Sequence, residues 1–148
     1  MTTSSPTEQA LFDHAAGLEV LARCDADRLK AFAETLIPRL GDIDVVENRT
    51  GLVMLPMRDT AQGTHFHLGE VLMSEARIRA RAEDGYGMRR GRDLEAAMAM
   101  AIVDLAMAAG ADQGGCATFL ETEARALRDA DWDRLRRVEA TRVDMETF

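Results

Sequence analysis

A chain of 148 residues, 47% hydrophobic and 30% charged, has the size of one domain and enough apolar mass for a proper core, which excludes a disordered or low-complexity protein. Its formal net charge of −8 excludes broad, non-specific nucleic-acid binding, which needs a basic surface, but leaves room for a local basic patch. Aromatics are scarce at 5% and there are 9 methionines, so the core is expected from Leu, Ala, Met, Val and Ile, and an exposed Met-rich face would suit a partner.

The opening MTTSSPTEQ lacks the basic start and apolar run of a secretory signal. Residues 1–7 are expected to fray, with Pro6 suited to a helix start. From Glu8 to Arg23 the residues Leu11, Ala15, Leu18 and Ala22 recur at helical spacing, and Asp25 is a plausible N-cap for a second helix closed by Pro38 and Gly41. Cys24 and Cys116 are far apart without Cys-x-x-Cys spacing, which favours two reduced thiols in a cytoplasmic protein over a disulfide.

The stretch from Thr50 to Asp93 carries the strand signals. Ile43-Asp44-Val45-Val46 reads as a short strand, Asn48 to Gly51 as a turn, and Leu52–Met57 as the next strand. Pro56 has no backbone donor, so that end of the strand must lie at an edge or leave the sheet. After a loop over Asp59–Gly63, Thr64 to Leu68 alternates, placing Phe66 and Leu68 on one face and both histidines on the other. Ala76, Ile78 and Ala80 alternate with Arg77, Arg79 and Arg81, and Asp84-Gly85 is the expected hairpin turn before a returning strand, Tyr86–Arg90.

Asp93 is then expected to cap LEAAMAMAIVDLAMAA, a helix apolar nearly all round and ended by Gly110; it should lie across the sheet or under a partner. Leu94, Met98, Ala101, Ile102 and Leu105 define its expected buried stripe. Glu95 and Asp104 interrupt it, so no membrane span is expected. Gly114-Gly115 reads as a break, and Phe119 to Glu139 as one long or two short exposed helices. The expectation is an α+β fold over a single domain, 1–148: a small antiparallel sheet, about residues 42–91, with an N-terminal helix pair and C-terminal helices packed on it.

Three groups of residues compete as sites. His65 and His67 share a strand face and could reach one metal, but a third ligand is wanting and plain polar-face histidines are the preferred reading. Arg77, Arg79, Arg81, Arg89, Arg90 and Arg92 form a basic cluster; it is either a solvated face balanced by Glu75, Glu83 and Asp84, or a surface for a partner's acids or phosphate oxygens. Gly85-Tyr86-Gly87 and Gly91-Arg92-Asp93 precede a helix start, where amides attract anions, yet Asp93 as N-cap would repel a phosphate. Asp104, inside the apolar helix, must be exposed, paired with a sheet arginine, or met by a partner. No Ser/His/Asp or Cys/His arrangement is recognisable, so no catalytic residue is assigned.

TGLVMLPMRD, FHLGEVLMSEARI and DGYGMRRGRDLEAAMAMAIVDLAM, in that order and spacing, resemble the PhnG subunit of the bacterial carbon–phosphorus lyase system. Gly69-Glu70, Gly85-Tyr86-Gly87 and Gly91-Arg92-Asp93 are the strongest markers, and Thr141-Arg142-Val143-Asp144 resembles the family's C-terminal segment. The likeness runs from about residue 8 to the end; the closing Met145-Glu146-Thr147-Phe148 departs from the family, which tends to carry an aromatic there and continue. The resemblance implies a non-catalytic subunit of a cytoplasmic core complex acting with PhnH, PhnI and PhnL. Together they replace the adenine of ATP with a phosphonate, giving ribose 1-phosphonate 5-triphosphate. It also implies that the iron–sulfur cluster and S-adenosylmethionine of the system reside in another subunit, PhnJ, and that this subunit binds no cofactor alone. The residues leave an alternative open: a stand-alone homodimer binding a phosphorylated small molecule at the Arg/Gly hairpin.

Overall fold

The computed structural model describes residues 13–143 of the protein. Within them the order is α1 (His14–Arg23), α2 (Ala26–Leu40), β1 (Asp44–Arg58), β2 (His65–Ala80), β3 (Glu83–Arg90), α3 (Leu94–Ala109) and α4 (Gln113–Ala140). The expected α+β class is observed: a three-stranded antiparallel sheet in the order β1-β2-β3 with helices at both ends of the chain. The expected frayed start, the helix start at Pro6 and the segment from Asp144 onward lie outside the described residues.

Local chemistry sets most element ends. Asp13, Asp25 and Asp93 each accept a backbone N–H three residues on, from Ala16, Arg28 and Ala96, satisfying donors that a helix start leaves free. Gly41 and Gly110 end α2 and α3 with positive φ, 75° and 69°. Pro38 lies inside α2, which continues two residues beyond it to Leu40. Gly114 and Gly115 do not break the chain. They form the first turn of α4, where Gly115 N donates to Asp112 Oδ1 at 3.1 Å, and the C-terminal region is one helix of 28 residues.

The strands are longer than their sequence signals. Asn48 to Gly51 is not a turn: Asn48 pairs with Ala76 and Gly51 with Met73, so β1 is continuous from Asp44 to Arg58. Thr64–Leu68 and the arginine run likewise belong to one strand, β2. Register slips between Val45 and Glu47 and between Leu55 and Pro56 absorb the irregular residues, with Pro56 on the edge strand as its missing donor requires. Leu68 has no ladder partner at the second slip, so the expected strict alternation of Phe66 and Leu68 against the histidines breaks there.

The β2–β3 turn also differs. It is made by Arg81 and Ala82, with φ of 53° and 62°, whereas Asp84-Gly85 lies inside β3, paired with Arg79 and Ile78. A two-residue hairpin loop matching the strand twist demands positive φ at both positions, and here neither residue is glycine. Ala82→Gly is therefore expected to raise stability by about 0.5–1 kcal/mol, the relieved left-handed strain less the extra chain entropy. A melting curve that fails to move upward would mean the turn carries no such strain.

α3 is the hub, packing against β3, β2 and α2 and touching α1 and α4. That explains its apolar circumference: it lies across the sheet, and Ala96, Ala97, Ala99 to Ala106 are buried on all sides. Leu94 and Met98, expected in the deepest stripe, are only half-buried. From the sheet, Ala76, Ile78 and Ala80 face it, and Leu21, Leu29, Leu36 and Leu40 fill the space from the first two helices. Phe32 of α2 stacks on Phe119 of α4, ring centroids 4.5 Å apart.

Two parts project from this core. Beyond Leu72, β2 has lost β3, because the chain leaves the sheet at Gly91, whose N–H donates to Leu72 O at 2.8 Å. The distal β1–β2 hairpin is thus two-stranded. At the other end, α4 is packed through Ala124 and half-buried at Leu127, and exposed thereafter.

Candidate functional site

One face of the sheet carries α3; the other is uncovered. Ser74, Ala76, Ile78 and Ala80 of β2 are buried towards the helices, so Met73, Glu75, Arg77 and Arg79 take the open face by strand alternation. The register adds Glu47 and Arg49 from β1 and Asp84, Tyr86, Met88 and Arg90 from β3. The open face is therefore polar and mixed in charge.

Its charges form two small networks. Tyr86 donates its hydroxyl to Glu75 Oε1 at 2.9 Å, and Arg49 donates to Glu75 Oε2 at 3.1 Å while meeting Glu47 at 3.0 Å. Arg79 grips Asp84 with Nε at 2.7 Å and Nη2 at 3.3 Å, and Arg77 stands 3.6 Å from the same carboxylate. The Tyr86 hydroxyl, with Arg49, holds the Glu75 carboxyl below the usual range, and Arg79 does the same for Asp84. Partial burial and the neighbouring Glu75 push the Tyr86 phenol up. A depressed folded-state carboxyl stabilises the fold above its ordinary pKa, about 4, and that contribution is lost as pH falls through the folded value. The melting temperature of Glu75→Gln is accordingly expected to fall less on acidification than that of the parent; parallel acid limbs would remove Glu75 from this linkage.

The arginines read as one cluster are divided by the fold. Arg77, Arg79 and Arg90 share the open face, and Arg90 and Arg92 are exposed with no ion pair among the described residues. Arg89 and Arg81 instead tie the hairpin to the N-terminal helices. Arg89 pairs with buried Ser74 in the ladder and so points to the helices. There it donates to Leu21 O and, at 2.7 Å, to Cys24 O. Arg81, in the turn, donates to Arg39 O at 2.6 Å. Each hairpin arginine thus satisfies carbonyls at the C-terminus of one N-terminal helix, where a cation is favoured.

The Gly-Tyr-Gly segment is a close-packing device. A Cβ on Gly85 would sit 2.3 Å from Ala101 O, and one on Gly87 would sit 2.1 Å from Ala97 O. The amides that follow the two glycines are occupied as well: Tyr86 N donates to Asp104 Oδ2 at 2.9 Å and Met88 N to Met100 Sδ at 3.3 Å. Asp104, only 4% exposed, takes Tyr86 N on one oxygen and His14 Nε2, at 2.7 Å, on the other. It is neither exposed nor paired with a sheet arginine, two of the three alternatives its sequence left open: its partners are a histidine and a strand amide. Sequence reasoning missed Glu123, 2% exposed and held by both Arg28 Nε at 2.7 Å and Nη2 at 3.0 Å; nothing in its local sequence distinguishes it from the exposed acids of α4.

His65 and His67 are exposed on the two-stranded part of the hairpin, opposite Arg58 and Pro56. Among the described residues no third histidine, cysteine or carboxylate joins them in a group able to hold a metal. Both cysteines are free and buried. Burial pushes the Cys116 thiol up to about 11, and raises that of Cys24 against the opposing Arg89 guanidinium, so neither is disposed to form a thiolate at neutral pH. No helix among the described residues is long and apolar enough to cross a membrane.

The family model described as "Phosphonate metabolism protein PhnG" matches residues 14–148. The chain is also 30% identical, over 133 residues, to the alpha-D-ribose 1-methylphosphonate 5-triphosphate synthase subunit PhnG of Rhizobium meliloti (strain 1021), a match covering 89% of this chain and 85% of that relative.

Proposed function

The chain belongs to the PhnG family, and on that premise we propose that it is the PhnG subunit of a ribose 1-phosphonate 5-triphosphate synthase complex in organic phosphonate catabolism. The observation that carries this reading is the match to a synthase subunit over most of both chains. In the proposed reaction the complex exchanges the adenine of ATP for a phosphonate. This subunit supplies no catalytic residue and no cofactor of its own. It works in the cytoplasm with subunits of the PhnI, PhnH, PhnJ and PhnL types.

The open sheet face supports an assembly role. Arg77, Arg79 and Arg90 stand together on it, and guanidinium forks match the carboxylates of a neighbour or the phosphates of a shared site. A stand-alone phosphate binder at the hairpin is less well supported, because the Tyr86 and Met88 amides are taken, Arg81 and Arg89 hold carbonyls, and Arg77 and Arg79 face Asp84.

Co-expression with the other synthase subunits followed by size-exclusion chromatography tests the proposal: the chain is expected to elute with them, and separate elution would refute it. Arg79→Glu is expected to reduce co-elution while lowering the melting temperature only slightly, since the Arg79–Asp84 pair is solvent-exposed and such pairs contribute little to folding. Loss of co-elution no greater than the loss of folded protein would count against a docking role for Arg79. Micromolar binding of ATP to the isolated chain, measured by calorimetry, would favour the stand-alone alternative.

A further inference from the structure

The distal β1–β2 hairpin presents apolar side chains on both of its faces. Leu52 and Leu72 pair on the side that α3 covers closer to the core, and Val53 and Val71 pair on the opposite side. Leu52, at 64%, and Leu68, at 59%, are among the most exposed large apolar residues described. The run Leu52 to Met57 is unbroken by any polar residue. A strand with one wet face alternates; a continuous apolar run is the signature of a strand buried on both faces. Here that signature belongs to a two-stranded ribbon in solvent, which on its own is marginally stable and has unpaired edges.

We propose that the distal hairpin, residues 51–72, is an insertion arm that enters an apolar, two-walled cleft of another synthase subunit and becomes covered on both faces. The inference rests on the reading of the chain as a synthase subunit, and it adds which element enters and what chemistry receives it. Charge identifies the receiver more closely. Within 51–57 and 66–72 the only charged side chain is Glu70, paired in the ladder with Met54. Burying it among apolar walls requires a cation from the receiving side. A second copy's arm offers none at that depth, since its only Lys or Arg is Arg58, at the end of β1. That excludes arm-to-arm pairing of two copies. The occupant proposed is a different subunit, whose cleft is apolar and carries one Lys or Arg about midway along the arm, and a second copy seated through another surface is an outcome of the test.

The test uses the full chain co-expressed with the other subunits. Leu52→Asp and Val53→Asp charge opposite faces of the arm at positions already exposed, so the isolated chain should melt where the parent does. Each is expected to reduce the recovered partner subunits at least tenfold. An arm lying on a surface would make only one of the two matter, and an arm outside the interface would make neither matter; both results overturn the proposal. Removing residues 54–70 and joining Val53 to Val71, which are register partners, through Asn-Gly keeps the three-stranded base and should also abolish recruitment. If this shortened chain still assembles, the proposal fails even where the point variants are poorly folded. Variants that convert a homodimer to a monomer but leave partner recruitment intact would identify the occupant as a second copy, again overturning it. Failure of the parent chain to recruit any partner would instead refute the subunit reading itself.

Discussion

Gly87→Ala is expected to destabilise the protein by about 3 kcal/mol, lowering the melting temperature by roughly 10 °C, although the added group is a single methyl. The new Cβ would lie 2.1 Å from Ala97 O and 2.9 Å from Ala101 N. Those atoms belong to the backbone of α3, so no side chain can rotate away; the helix must lift from β3. α3 is packed against two strands and α2, and lifting it opens the contacts of Ala97, Ala101 and Leu105 together. Gly51→Ala and Gly69→Ala serve as controls. Neither would meet any atom within 4 Å, and both should fall within about 0.5 kcal/mol of the parent. Thermal or urea unfolding of the three variants decides it: equal stabilities would show that the close approach of β3 to α3 is not tightly held.

Arg89→Met is the second large effect, an expected loss of about 3 kcal/mol. Two charge-assisted bonds to carbonyls of buried residues disappear, each worth about 1.5–3 kcal/mol, and methionine leaves Leu21 O and Cys24 O without donors. Leu21 and Cys24 are 0% and 1% exposed, so water cannot easily replace the guanidinium. Arg89→Lys should recover less than half, because one ammonium cannot reproduce a fork reaching two carbonyls. Arg90→Met, one residue along on the open face, should leave stability within about 0.5 kcal/mol. A near-neutral Arg89→Met would mean that the α1–α2 junction is held by packing alone.

The contrast between Arg89 and Arg90 shows where the sequence stops being informative. Helix ends were readable because a capping aspartate acts over three residues: Asp25 and Asp93 cap as expected. The edge position of Pro56 follows from one missing hydrogen. The inner or outer orientation of an arginine, by contrast, depends on ladder register, which is settled by tertiary pairing. Asp84-Gly85 misled for a related reason. Glycine can signify positive φ or close approach, and only the position of α3 reveals that Gly85 is needed for the second. Asn48 to Gly51 has turn composition, yet pairing with Ala76 to Met73 overrides local preference. Asp104 was conspicuous as a charge in an apolar helix, but its acceptance of a strand amide is a contact between distant segments. The open face was legible as an arginine-rich strand; its division into structural and available arginines was not.

α4 shows how unevenly stability is distributed in this chain. Its first half is tied to the rest by Cys116, Leu120 and the buried Glu123–Arg28 pair. Among the described residues, the last side-chain link from the helix to another element is Arg23–Asp131. Beyond it the ion pairs among the described residues are local, Asp133–Arg136 and Glu139–Arg142, and Trp132 is 62% exposed. A helical segment of this kind has little beyond intrinsic propensity to keep it wound, and short isolated helices are marginal in water. Hydrogen exchange is therefore expected to be slow around α3 and progressively faster along the second half of α4, whose backbone amides can open independently of global unfolding. Ordering that segment costs conformational entropy, which any surface that captures Trp132, Leu135 and Val138 must first overcome.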